Sequence, residues 1–110
     1  MAQVIWSPQA VDDLRAICQY IARDSEKLAV STATRFFLAT DQLEEFPLSG
    51  KVVRERGREG LRELVVGSHR VIYTVDDPGH VSIVCVIHGR QQFPAGVAEE
   101  PAVYISPVAP

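Results

Sequence analysis

Cysteine is scarce, and its placement excludes more than its number. Cys18 and Cys85 are the two cysteines of the chain. They form no CxxC pair and have no Cys/His spacing that suits zinc, so no metal is expected. Both read as buried thiols. Long hydrophobic runs are also missing. The longest uncharged apolar stretch, Val81 to Ile87 with Ser82 inside it, falls far short of the ~20 residues that span a bilayer. The opening Met-Ala-Gln-Val-Ile-Trp has no basic region and no long apolar segment, so no secretory signal is expected and the location reads as cytoplasmic. No Ser/His/Asp order, no phosphate-cradling glycine loop, no carboxylate cluster and no internal repeat stands out. Positive charge is not in excess: 11 Lys+Arg face 14 Asp+Glu, a formal charge of -3. A general nucleic-acid coat is normally basic, so that class is disfavoured.

What is present suits one compact domain. The 110 residues are 46% hydrophobic, enough for a core. The overall charge hides an asymmetry. Residues 1–50 are net -3, residues 51–90 are net +2, and residues 91–110 hold only Glu99 and Glu100. The positive residues gather in Lys51, Arg54, Arg56, Arg58, Arg62, Arg70 and Arg90.

The hydrophobic spacing gives the element order. Residues 2–6 read as a first strand. Ser7-Pro8 is a helix start, because Ser caps and Pro suits the first helical position. Asp12 and Asp13 favour the positive end of the helix dipole. Val11, Leu14, Ile17 and Ile21 carry this helix to about Arg23. Asp24-Ser25 opens a second helix through Ala29, Ala33, Phe36, Phe37, Thr40 and Leu43. It should end near Phe46, before Pro47. Residues 48–60 form a loop with a short strand near Lys51 to Arg54. Leu61 to Val66, His69 to Val75 and Val81 to His88 are three Val- and Ile-rich strands. Gly67-Ser68 fits a two-residue hairpin, and Asp77-Pro78-Gly79 fits a turn. The last strand is apolar on both faces, which suggests a central place in the sheet. Residues 94–110 form a Pro-rich C-terminal tail beyond the domain of residues 1–93. The expected fold is α+β, in the order β-α-α-β-β-β, with a helical hairpin on a small antiparallel sheet.

Hairpin register then assigns faces. The first turn pairs Val65 with Arg70, Leu64 with Val71 and Arg62 with Tyr73. The second pairs Val75 with Val81, Tyr73 with Ile83 and Arg70 with Val86. The helix-covered face would collect Arg62, Leu64, Val66, Val71, Tyr73, Val75, Val81, Ile83, Cys85 and Ile87. The other face would carry Glu63, Arg70, Thr74, Ser82 and His88 among aliphatics. Arg70 and His88 on one open face form a plausible anion site, the Arg holding a phosphate and the His exchanging a proton. The alternative is a cross-strand Arg70–Glu63 ion pair with His88 as a solvated strand end. Tyr73 reads as core, Trp6 as a core anchor, and His69 receives no role.

The residues resemble the RelE/ParE superfamily of toxins from type II toxin–antitoxin systems, also called plasmid stabilisation proteins. The resemblance covers roughly residues 3–93. It rests on Trp6-Ser7-Pro8, Ala10, Asp13-Leu14, Ile17, Tyr20-Ile21-Ala22, Ala29, Leu43, Phe46-Pro47 and Gly50. Its strongest pieces are Leu61-Arg62-Glu63-Leu64, Arg70-Val71-Ile72-Tyr73 and Ile87-His88-Gly89-Arg90. The helix start and the Leu-Arg-Glu-Leu strand look ParE-like. That likeness implies a DNA gyrase inhibitor, neutralised by a cognate antitoxin and free of cofactors. Arg54, Arg56, Arg58, Arg62 and Arg90 would then bind the target. The alternative implied is a ribosome-dependent, metal-independent mRNA endonuclease. There Arg70 would stabilise the phosphorane, His88 would be the general acid and Glu55 the base. A third reading is a non-toxic member that acts only through complex formation. A homodimer or a toxin–antitoxin hetero-oligomer is the assembly the resemblance implies, with no membrane partner.

Overall fold

The computed structural model describes residues 1–55 and 60–91. Arg56, Arg58 and the Pro-rich segment 94–110 lie outside the described residues. The order is β1 (Gln3–Trp6), α1 (Pro8–Ala22), α2 (Glu26–Asp41), a 3₁₀ turn (Gln42–Glu44), β2 (Lys51–Val52), β3 (Arg62–Val66), β4 (His69–Asp77) and β5 (His80–His88).

Both helix starts follow from their caps. Ser7 Oγ accepts from the Ala10 N–H at 3.0 Å, and Ser25 Oγ accepts from the Leu28 N–H at 3.0 Å. The second α-helix stops at Asp41 rather than running to Phe46. The chain tightens into the 3₁₀ turn, which buries Leu43 before Pro47.

The sheet order is β1-β5-β4-β3-β2. β1 pairs parallel with β5, so the sheet is mixed rather than wholly antiparallel. This follows from the composition of β5. A strand apolar on both faces makes a poor edge, and β1 covers the side that β4 leaves open. One face of the sheet lies against the helices. Trp6, Ala10, Leu14, Phe36, Val71, Tyr73, Val81 and Ile83 form that core, with the Trp6 and Phe37 ring centroids 5.5 Å apart.

The first hairpin has the expected register, including Val65 opposite Arg70 and Arg62 opposite Tyr73. Gly67 makes it possible, because its φ of +60° is strained for any residue with a Cβ. The second hairpin keeps the expected pairs Tyr73–Ile83 and Val75–Val81 and then departs. Ile72 faces Cys85, so Val84 is an extra residue on β5, a β-bulge. The cap of α1 and one of its side chains hold it. Ser7 Oγ donates to the Val84 carbonyl at 2.7 Å, and Asp13 Oδ2 accepts from the Val86 N–H at 2.9 Å. Leaving such a buried N–H unpaired costs about 1–3 kcal/mol. Burial pushes the Asp13 carboxyl above its ordinary range, against the pull of the Val86 hydrogen bond.

The bulge reverses the faces beyond it. Arg70 lies opposite Ile87, not Val86. Val86 joins the helix-side core, while Cys85 and Ile87 join Val53, Leu61 and Ile72 in a second cluster. The face expected to be open therefore carries a small core of its own. Cys85 remains a buried thiol, its pKa pushed up to about 12 chiefly by burial.

Candidate functional site

The Gly67–Ser68 turn and the residues after β5 meet at one end of the sheet. The Gly89 N–H donates to the Ser68 carbonyl at 2.8 Å, which ties the two together. A cavity of about 470 Å³ opens there. Arg54, Val65, His69, Arg70, His88 and Arg90 are among the side chains that line it. Sequence reasoning expected Arg70 and His88 on one face. The bulge instead places His88 with Val86 on the helix side, and the two residues reach the cavity from different faces.

Arg70 is the best-held residue of the site. Its Nη1 and Nη2 donate to the Glu55 carboxylate at 2.8 and 3.0 Å. Its Nε and Nη2 also meet Glu63 Oε2 across the β3–β4 pair. Register alone predicts the Glu63 contact, whereas the Glu55 contact requires the loop after β2 to fold over the sheet. Arg70 and Glu63 side chains are only 11% and 8% exposed, so these charges are largely withdrawn from water. The Arg70 hydrogen bond is the main cause that holds the Glu55 carboxyl below its ordinary range. The Glu55 hydrogen bond likewise raises the Arg70 pKa.

His69 and His88 are directly opposed across β4 and β5, with ring centroids 5.6 Å apart. His69 also lies edge-on to Phe36 of α2 at 5.9 Å. Burial, then the neighbouring His88, lowers the His69 pKa from its ordinary 6.5. Its place opposite the end of β5 was the available signal for a residue given no role. Asp13 was also underestimated. Its signal was an acid between Ala10, Leu14 and Ile17 on the apolar stripe of a helix.

The other predicted basic residues divide. Arg54 and Arg90 are exposed and line the cavity. Arg62 is elsewhere: its Nη1 donates to the Leu48 and Gly50 carbonyls at 3.2 and 2.8 Å. It clamps the approach to β2. Tyr73 completes that clamp, donating to the Pro47 carbonyl at 2.9 Å and accepting from the Gly50 N–H at 2.8 Å. A Cβ on Gly50 would run into the Tyr73 ring and stand 2.7 Å from the Glu63 carbonyl oxygen, so only glycine fits. Among the described residues, no group of three or more His, Cys, Asp or Glu is placed to hold a metal. No helix among them is long and apolar enough to cross a membrane.

Comparison with known proteins places this geometry. The profile of the family described as the ParE toxin of type II toxin–antitoxin system, parDE, matches residues 4–93. The chain is 43% identical over 92 residues to Toxin RelE2 of Caulobacter vibrioides, covering 83% of this chain and 99% of that protein. It is 32% identical over 92 residues to Putative toxin Y4kP of Sinorhizobium fredii, covering 84% and 93%. A structure of the chromosomal ParDE system from P. aeruginosa has the same fold, at a TM-score of 0.66 and 17% identity over 80% of this chain and 96% of that one. The toxin–antitoxin complex RelBE2 from Mycobacterium tuberculosis aligns at a TM-score of 0.55 and 25% identity, covering 79% and 96%.

Proposed function

This chain belongs to the ParE toxin family of type II toxin–antitoxin systems, and from that premise we propose that it acts by binding a protein target, DNA gyrase, in the cytoplasm. A cognate antitoxin holds it inactive, and release of the toxin selects for cells that keep the genes for both. The structural neighbours come from toxin–antitoxin systems, which supports an antitoxin partner.

One observation carries the choice of target: Arg70 is bound between Glu55 and Glu63. A nuclease needs a guanidinium directed at the scissile phosphate and a base whose pKa lies near the working pH. Here the guanidinium faces two carboxylates. Glu55, which the nuclease reading would make the base, is held acidic by Arg70. His88 reaches the cavity from the other face. What remains at this end of the sheet is a charged surface with exposed Arg54, Arg90 and Val65. Such a surface suits protein recognition, with arginines as anchors.

The test is supercoiling by purified gyrase. Adding the protein should slow it, and adding the antitoxin should restore it. Undiminished supercoiling, together with cutting of mRNA on translating ribosomes, would overturn the proposal.

A further inference from the structure

We infer that the outward face of α2 is a self-association surface, on which a second copy of this chain packs antiparallel about a two-fold axis at Thr34. Lys27, Ser31, Thr34, Leu38 and Asp41 recur at three- and four-residue spacing and form one exposed stripe, with Val30 beside it. A surface helix normally shows charge on its outer face. This one carries a single charge between Leu28 and Thr40, Arg35. Arg35 lies to one side and reaches the β3–β4 turn, its Nη2 3.6 Å from where a Cβ on Gly67 would stand. Val30 and Leu38 are 67% and 61% exposed.

The hydroxyls of the stripe are already satisfied. Ser31 Oγ donates to the Leu28 carbonyl at 3.0 Å, and Thr34 Oγ1 donates to the Val30 carbonyl at 2.9 Å. Covering them strands no donor, which removes the usual cost of burying a hydroxyl. Val30 and Thr34 are β-branched and stiff at χ1, so docking freezes few rotamers. Ser31 and Thr34 are small, which lets two helix axes approach to about 8 Å, the short end of the helix-packing range.

Charge chooses the occupant and its direction. Lys27 and Asp41 close the two ends of the stripe, and neither has an ion-pair partner among the described residues. A copy packed parallel would set Lys27 against Lys27 and Asp41 against Asp41. A copy packed antiparallel about Thr34 sets Lys27 against the partner's Asp41 at both ends, because positions 27 and 41 are equally far from 34. The same axis puts Val30 against the partner's Leu38 and opposes the two helix dipoles. The patch is complementary to itself, as an isologous interface requires.

Area sets the strength. The helix has 16 residues, so it is about 24 Å long and about 12 Å wide with its side chains. The contact strip is then about 300 Å² on each copy. That is below the ~1,200 Å² in total at which stable interfaces begin, so the pair forms and parts readily. The inference does not rest on the choice of gyrase as target.

Sedimentation velocity of the full chain from about 10 µM to about 1 mM, the range of weak association, is the experiment. The average mass should rise with concentration toward that of a dimer. Leu38→Glu should hold the protein monomeric, because it sets a carboxylate against the partner's Val30. Leu38 is exposed, so this variant should fold like the parent. Lys27→Asp alone, or Asp41→Lys alone, should raise the dissociation constant about tenfold, since each loses two exposed pairs. The two combined should restore the parent value. Each of these changes puts its new charge at the helix end whose dipole favours it, so lost association is not lost folding. A monomer at every concentration would overturn the inference. So would association that Leu38→Glu leaves unchanged, or a double exchange no better than the single ones. Should the parent stay monomeric while Leu38→Glu weakens antitoxin binding, the face belongs to the antitoxin and the inference fails. None of these readouts involves gyrase or growth arrest, so failure here is distinct from failure of the proposed function.

Discussion

The two faces of the sheet are closed in different ways. The helix side is closed by shape: Trp6, Phe36, Tyr73 and their neighbours fill it with apolar side chains. The opposite side is closed by a loop over a small cluster, and Arg70 between Glu55 and Glu63 ties that loop down. Packing of the first kind is sensitive to a volume change of even one methylene. The second kind depends on charges that have been taken out of water, and removing one leaves the others uncompensated.

The largest expected effect therefore falls on the loop-covered face. Arg70→Ala should destabilise by about 3–5 kcal/mol, because Glu63 becomes a buried unpaired carboxylate. Arg70→Met combined with Glu63→Leu should recover most of that loss. Denaturant midpoints measure both. A cost below about 1 kcal/mol for Arg70→Ala would mean that the two faces are held in the same way.

The bulge is the next test, since it decides which residues lie on each face. Asp13→Ala removes the acceptor of the Val86 N–H and should cost about 1–3 kcal/mol. Asp13→Asn keeps an acceptor oxygen and should cost less than half as much. Equal losses in the two variants would show that the hydrogen bond is not what holds the bulge.

These two features differed in how legible they were. The Arg70–Glu63 contact followed from counting back from Gly67-Ser68, because a two-residue turn leaves no freedom of register. The capping serines, the helical hairpin, the buried Tyr73 and the central place of β5 were legible for similar local reasons. The bulge was not. A strand that alternates apolar and polar residues reports its own phase, but Val81 to Ile87 is apolar on both faces and reports none. One extra residue there therefore left no trace in the pattern, and Cys85, Ile87 and His88 were assigned to the wrong faces. The hold of Glu55 on Arg70 was hidden for another reason: a loop carries no periodicity from which to place its side chains.

A smaller effect concerns pH. The His69 pKa is lowered from 6.5 in the folded chain, by burial and by His88. The unfolded chain therefore takes up this proton more readily. The contribution is complete above about pH 6.5 and is lost as pH falls toward the folded value. Stability between pH 7 and 5.5 should fall less steeply in His69→Gln than in the parent, as read from denaturant midpoints across that range. An unchanged slope would remove His69 from the account.

The claim that matters most for function is that Arg70 and His88 do not work together, because the bulge at Val84 sends them to different faces. Growth arrest on induction of His88→Ala tests it directly. His88 is exposed, so the variant should fold like the parent, which its denaturant midpoint verifies. The account predicts arrest as complete as that caused by the parent chain. Normal growth with a folded His88→Ala protein would contradict it and restore the pair as a catalytic site.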